Sequence, residues 1–126
     1  MRTSAFSLIL LASFAAGCSF HARDAESYRK ATRELLETRN PDIRSCYDAE
    51  LKKDPTAAGT VIVKFKVQKE TGQIVEAKVD EVNSSAPATL RQCVVQAIGT
   101  GLALDPPDER EGDASFQWEF QIPKQA

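Results

Sequence analysis

Thr60-Val61-Ile62-Val63-Lys64-Phe65-Lys66-Val67 is the stretch that decides the fold. Val61, Val63, Phe65 and Val67 alternate with Ile62, Lys64 and Lys66, the period of two that belongs to a half-buried strand. Glu70-Thr71-Gly72 follows as a turn, and a second run sets Val75, Ala77 and Val79 against Glu76, Lys78 and Asp80. The two runs are expected to pair as an antiparallel hairpin with one dry face and one wet face.

On either side of the hairpin the period is helical. Asn40-Pro41 is a helix start, because Asn can cap and Pro is tolerated in the first turn. Ile43, Cys46, Tyr47 and Leu51 then share one face, and Asp54-Pro55 closes the segment. Downstream, Ser84-Ser85 leads into a helix with Pro87 in its first turn. Leu90, Cys93, Val94, Ala97 and Ile98 form its apolar face, and Gly99 and Gly101 end it. A last strand sets Phe116, Trp118, Phe120 and Ile122 against Ser115, Gln117, Glu119 and Gln121. At that spacing Trp118 is read as core.

The order is α-β-β-α-β, a small α+β domain over 41–123 with two helices on one face of a three-stranded antiparallel sheet. A right-handed crossover brings the last strand beside the first. The spatial order is then second, first, third, with the second and third strands as edges. Residues 18–40 are read as a charged tether that carries an amphipathic helical segment, with Tyr28, Leu35 and Leu36 at rough helical spacing.

Cys46 and Cys93 each lie on the apolar face of a helix, and both helices must cover the same sheet face. A Cys46–Cys93 disulfide is expected. The alternative is two unpaired core cysteines acting as small hydrophobes. Closing a loop of about 48 residues contributes roughly 4 kcal/mol at most in the chain-entropy model, a large share of what so small a core supplies. Cysteines this far apart lack the C-x-x-C spacing of a redox-active pair.

The third cysteine, Cys18, has a different setting. Arg2, the apolar run Ala5 to Ala16 and the small residues Ala15-Ala16-Gly17 precede it. That run is too short for a hydrocarbon core of about 30 Å and has the dimensions of a signal-peptide h-region. Residues 1–17 are therefore read as a lipoprotein signal peptide and Cys18 as the lipidated first residue of the mature chain. Ordinary cleavage that leaves a plain thiol is the alternative. Lipidation of Cys18 would leave Cys46 and Cys93 as an even pair in a compartment where disulfides persist. Ser19 after the cysteine, in place of the Asp that retains lipoproteins at the inner membrane, points to the outer membrane, facing the periplasm.

The chain has 126 residues, with 16 basic and 18 acidic side chains, a formal net charge of −2. This balance gives no electrostatic footprint for nucleic acid. Enzyme signatures are missing. His21, the one histidine, lies three residues after Cys18 and is read as a linker residue. No Ser-His or Cys-His pairing and no Gly-rich phosphate loop can be built. Asp105, Asp108, Glu109, Glu111 and Asp113 lack the spacing that wraps calcium and are read as a solvated loop. No catalytic residue, metal or cofactor is expected.

Pro41-Asp42-Ile43-Arg44-Ser45-Cys46-Tyr47, Leu51, the Gly59–Val67 strand, the Gly72 turn and Arg91-Gln92-Cys93-Val94 resemble the AgmX/PglI-type C-terminal domain, a TonB C-terminal-like family. The similarity covers about residues 41–122. The chain departs from that pattern at Leu104-Asp105, where Phe-Pro is usual, and at Glu119, where the last strand often has Pro. The resemblance implies an envelope protein, accessory to envelope or motility machinery, with a protein or peptide partner. TonB-like domains capture peptides by adding a strand to a sheet edge. Ser115, Gln117, Glu119 and Gln121 on the last strand are the candidate docking edge, and protection against aggregation is the competing role for its polar residues. The function expected is that of a non-catalytic envelope lipoprotein with a docking domain. The alternative is a purely structural envelope lipoprotein without a specific ligand.

Overall fold

Alternation along the decisive stretch produces β1, Gly59–Val67, in which Val61, Val63, Phe65 and Val67 are all buried. The computed structural model describes residues 22–122, so the expected signal peptide 1–17, Cys18 and His21 lie outside the described residues. Around β1 stand α1 (Ala25–Glu37), α2 (Asn40–Lys53), β2 (Ile74–Val79), α3 (Ala88–Gly99) and β3 (Gly112–Phe120). The sheet order is β2-β1-β3 and both pairings are antiparallel, as the crossover argument requires. The fold is the expected small α+β layout, with a third helix added.

The register between β1 and β3 runs unbroken from Gly59–Phe120 to Val67–Gly112. It places Phe116, Trp118 and Phe120 beside Val63, Val61 and Gly59 on the helix-covered face. On β2 the alternation slips. Val63 pairs with Val79 and Lys64 with Lys78, but Lys66 pairs with Val75 and Val67 with Ile74. A bulge at Glu76, whose φ is 54°, absorbs the extra residue. Ile74 therefore enters the core, where Val75 was expected.

Helix α3 presents Leu90, Val94 and Ile98 to the sheet, and α2 presents Ile43 and Cys46. The Cys46–Cys93 disulfide joins α2 to α3, with Cα atoms 5.8 Å apart. Thr89 Oγ1 donates to Glu50 Oε2 at 2.6 Å and closes the same helix pair one turn further along. Tyr47 packs on Phe120, ring centroids 5.0 Å apart, and its hydroxyl donates to the Ala57 carbonyl oxygen at 2.7 Å. Two helix starts differ from expectation. Asn40 is already helical and provides no side-chain cap, and Pro87 precedes α3 as its cap residue.

Packing also extends N-terminal to the boundary expected at residue 41. In α1, Leu36 is 1% exposed within the core, and Tyr28, Ala31 and Leu35 pack against it. Burying one leucine side chain contributes about 1.5–3 kcal/mol toward holding the helix on the sheet. Asp24 caps α1 by accepting from the Ser27 N–H at 2.7 Å, and this bond holds its carboxyl below the usual range. The amphipathic helical segment expected within 18–40 is α1, and its apolar stripe looks weak in the sequence. Thr32, in the middle of the stripe, is buried after its hydroxyl donates to the Tyr28 carbonyl oxygen at 2.8 Å.

Candidate functional site

Two edges flank the sheet, and they are finished differently. Beyond β2 the chain folds back. The Ile74 N–H donates to the Leu102 carbonyl oxygen at 3.0 Å, and the Leu104 N–H to the Gly72 carbonyl oxygen at 2.7 Å. Where β2 ends, residues 80–86 continue its role along β1. Asp80 N–H donates to the Ile62 carbonyl oxygen, and Ser84 Oγ and Ser85 Oγ accept from the Ile62 and Thr60 N–H groups, both at 2.9 Å.

These bonds fix which backbone groups of β3 are free. Thr60 and Ile62 spend their N–H and carbonyl groups on the β2 side, so Val61, Val63, Phe65 and Val67 spend theirs on β3. Their partners Trp118, Phe116, Ala114 and Gly112 point inward. Asp113, Ser115, Gln117 and Glu119 consequently direct their N–H and carbonyl groups away from the sheet, and among the described residues none of these groups bonds outside the ladder. Ser115, Gln117 and Glu119 are three of the four docking positions expected from the sequence. The fourth, Gln121, lies beyond the end of β3, and Ile122, expected to face the core, is 51% exposed.

Side chains of this row project to the open sheet face, where Gln117 Nε2 donates to Glu119 Oε1 at 3.2 Å. Ion pairs lie across the rest of that face. Lys66 lies 3.5 Å from Glu76 and 3.7 Å from Glu111. Glu76, then Asp113 and Glu111, push its ammonium pKa up. Lys64 lies 3.4 Å from Asp80.

On the opposite face the edge runs beneath α1. Gly112 comes so close to Tyr28 that a Cβ there would meet the phenol ring at 2.9 Å. Burial, with Asp108 adding to it, pushes the Tyr28 pKa up, and its hydroxyl donates to the Arg110 carbonyl oxygen at 3.2 Å. Beside this contact opens a cavity of about 400 Å³. Leu36, Phe65, Ala114 and Phe116 make its apolar lining, and Arg29, Arg33 and Arg110 stand at its rim. It exists because β3 offers its smallest side chains, Gly112 and Ala114, at successive positions under α1. Phe116 and Trp118, half-buried with centroids 4.6 Å apart, continue the apolar strip along the edge.

A buried carboxylate fixes the end of this groove. Asp108, expected as part of a solvated acidic loop, is 1% exposed. It accepts from the Arg23 N–H at 2.8 Å and the Arg110 N–H at 3.0 Å. Burial pushes its pKa up, but the bonds from Arg23 and Arg110 outweigh that and hold it below the usual carboxylate range. The Arg110 guanidinium also donates to the Arg23 carbonyl oxygen. The start of α1 is thereby tied to the start of β3. Among the described residues no group of three or more His, Cys, Asp or Glu side chains could hold a metal ion, and no helix is long and apolar enough to cross a membrane.

Sequence signals for the cavity were weak. Arg29 and Arg33 at i, i+4 look like any solvated helix face, and only their position over Ala114 gives them a setting. Comparison with family models, with curated proteins and with solved structures gives no match.

Proposed function

We propose that this chain is a non-catalytic envelope lipoprotein, anchored through Cys18 to the outer membrane and facing the periplasm. In this reading its TonB-like domain docks an extended segment of a protein or peptide, as an accessory to envelope or motility machinery. The observation that carries it is the edge of β3, where Asp113, Ser115, Gln117 and Glu119 direct backbone groups outward along a nine-residue strand, without partners among the described residues. An added strand would satisfy them, with backbone bonds giving affinity and alternate side chains giving specificity. The Cys46–Cys93 disulfide supports an oxidising compartment.

The test is photo-crosslinking in intact cells from a photoreactive residue at position 117, with and without Ser115→Pro. Pro at 115 removes an outward N–H that β1 does not use, so it blocks strand addition while sparing the ladder. A discrete adduct that disappears with Ser115→Pro is expected. Uniform labelling of abundant neighbours, unchanged by Ser115→Pro, would replace docking by a purely structural role. Labelling with a palmitate analogue tests the anchor separately: Cys18→Ser should abolish incorporation, and undiminished labelling would remove the lipid from this reading.

A further inference from the structure

The groove between α1 and β3 has three properties that together describe an occupant. Its floor is a strand edge that pairs with no other strand among the described residues, its wall is an apolar cavity above Ala114, and its rim carries Arg29 and Arg33. Those two arginines are one helical turn apart and exposed, and among the described residues neither has a carboxylate within 4.0 Å. Their neighbours differ: Lys30 lies 4.0 Å from Glu34, and Arg110 lies 3.5 Å from Asp108.

We infer that the groove receives an extended acidic peptide that pairs with β3, seats one large apolar side chain above Ala114 and sets a carboxylate against Arg29 and Arg33. This deepens strand addition at β3 and rests on it. On an added strand, side chains two positions apart share a face about 7 Å apart. The residue facing α1 enters the cavity between Leu36, Phe65 and Phe116. The next residue on that face lies under the arginine pair, one helical turn along. Guanidinium groups match carboxylates through paired N–H donors, which makes arginine a selective reader at this rim.

The test measures fluorescence anisotropy at low salt, using the oxidised chain and three capped, fluorescein-labelled nonapeptides in an alternating Ser/Thr background. The first has Leu at the centre and Glu two positions to either side, the second replaces Glu by Lys, and the third replaces Leu by Ala. The Glu–Leu–Glu peptide should bind at least about 10-fold more tightly than either of the others. The double variant Arg29→Glu/Arg33→Glu should reverse the preference toward the Lys peptide, and Arg29→Gln/Arg33→Gln should erase it. Thermal unfolding of each variant within a few degrees of the parent verifies the fold. Equal binding of Glu and Lys peptides, lost with Ser115→Pro, would overturn the acidic assignment and leave strand addition standing. Glu-peptide binding that survives Ser115→Pro would overturn both. No binding by any peptide, or a dimer in sedimentation that excludes them, would assign the groove to another occupant.

Discussion

The Arg23 N–H donates to the buried carboxylate of Asp108 across 85 positions of sequence, at 2.8 Å. With the Tyr28 hydroxyl on the Arg110 carbonyl oxygen and the Arg23 guanidinium on the Pro106 carbonyl oxygen, it fastens the start of α1 to the loop that feeds β3. The groove therefore depends on a polar contact between two segments that the sequence presents as a tether and a solvated loop. Replacing that carboxylate removes an acceptor shared by two backbone donors and the Arg110 side chain.

Asp108→Ala should destabilise the protein by about 2–4 kcal/mol, since it leaves buried donors without an acceptor. Chemical denaturation read by tryptophan fluorescence from Trp118 measures it. Asp108→Asn keeps the shape and one acceptor, so it should cost less. A loss within error for Asp108→Ala would mean that α1 is held by its apolar face alone.

The same carboxylate gives a pH dependence with a definite sign. Its folded pKa lies below the ordinary aspartate value, so folding is favoured while Asp108 is ionised. That contribution is present in full above the unfolded value of about 3.9 and disappears as pH falls through the lower folded value. The stability gap between the parent and Asp108→Asn should therefore be constant from pH 7 to about 5 and narrow toward pH 2. Denaturant midpoints for the two proteins across that range test it, and the comparison cancels the acid response of Asp24, Asp54 and Asp80.

Loss of the Cys46–Cys93 bond should cost about 2–4 kcal/mol, up to the entropy of closing its loop. Cys46→Ala/Cys93→Ala should lower the thermal midpoint while keeping the fold, because the Glu50–Thr89 bond and the Leu90, Val94 and Ile98 face still dock α3. A thiol-reactive mass tag should shift neither cysteine before reduction and both after it.

Why some of this was legible in the sequence and some was not follows from what each feature leaves in a pattern of side chains. Val61, Val63, Phe65 and Val67 announce their strand because burial on one face demands apolar residues at every second position. The β3 row of Ser115, Gln117 and Glu119 was legible for the same reason, as the wet half of that alternation. Its outward backbone needed the register with β1, which no residue of β3 specifies alone. Ile74 was missed because the slip occurs in the backbone at Glu76, and a positive φ in a glutamate leaves no trace in composition. Asp108 was missed because a buried carboxylate and a solvated one are spelled alike; one of its donors is the Arg23 N–H, far away in sequence. Thr32 broke the stripe of α1 for a comparable reason, since its hydroxyl is satisfied within its own helix.

Gly72 should tolerate no side chain. Its φ is 71°, and a Cβ there would overlap the Leu104 carbonyl oxygen, part of the segment that closes the β2 edge. Gly72→Ala should cost about 2 kcal/mol or more, combining the left-handed backbone penalty with displacement of the 102–104 segment. Hydrogen exchange should then accelerate at the Ile74 and Leu104 amides ahead of those in β1. Uniform protection would show that the segment can shift without loosening the edge.

The bulge at Glu76 reverses an expectation from strand propensity. Valine is a better strand former than glutamate, and position 76 lies inside β2. Yet the backbone there has φ 54°, a conformation that β-branched side chains resist strongly and glycine adopts freely. Glu76→Val should therefore destabilise by about 1–2 kcal/mol. Glu76→Gly should stay within about 1 kcal/mol of the parent, because relief of strain offsets the added freedom of the unfolded chain. Both variants remove the same exposed contact with Lys66, so the difference between them isolates the backbone term. Denaturant midpoints of the pair decide it. A more stable Val variant would mean that the register slip between Val63–Val79 and Val67–Ile74 is not maintained, and that Val75 rather than Ile74 enters the core.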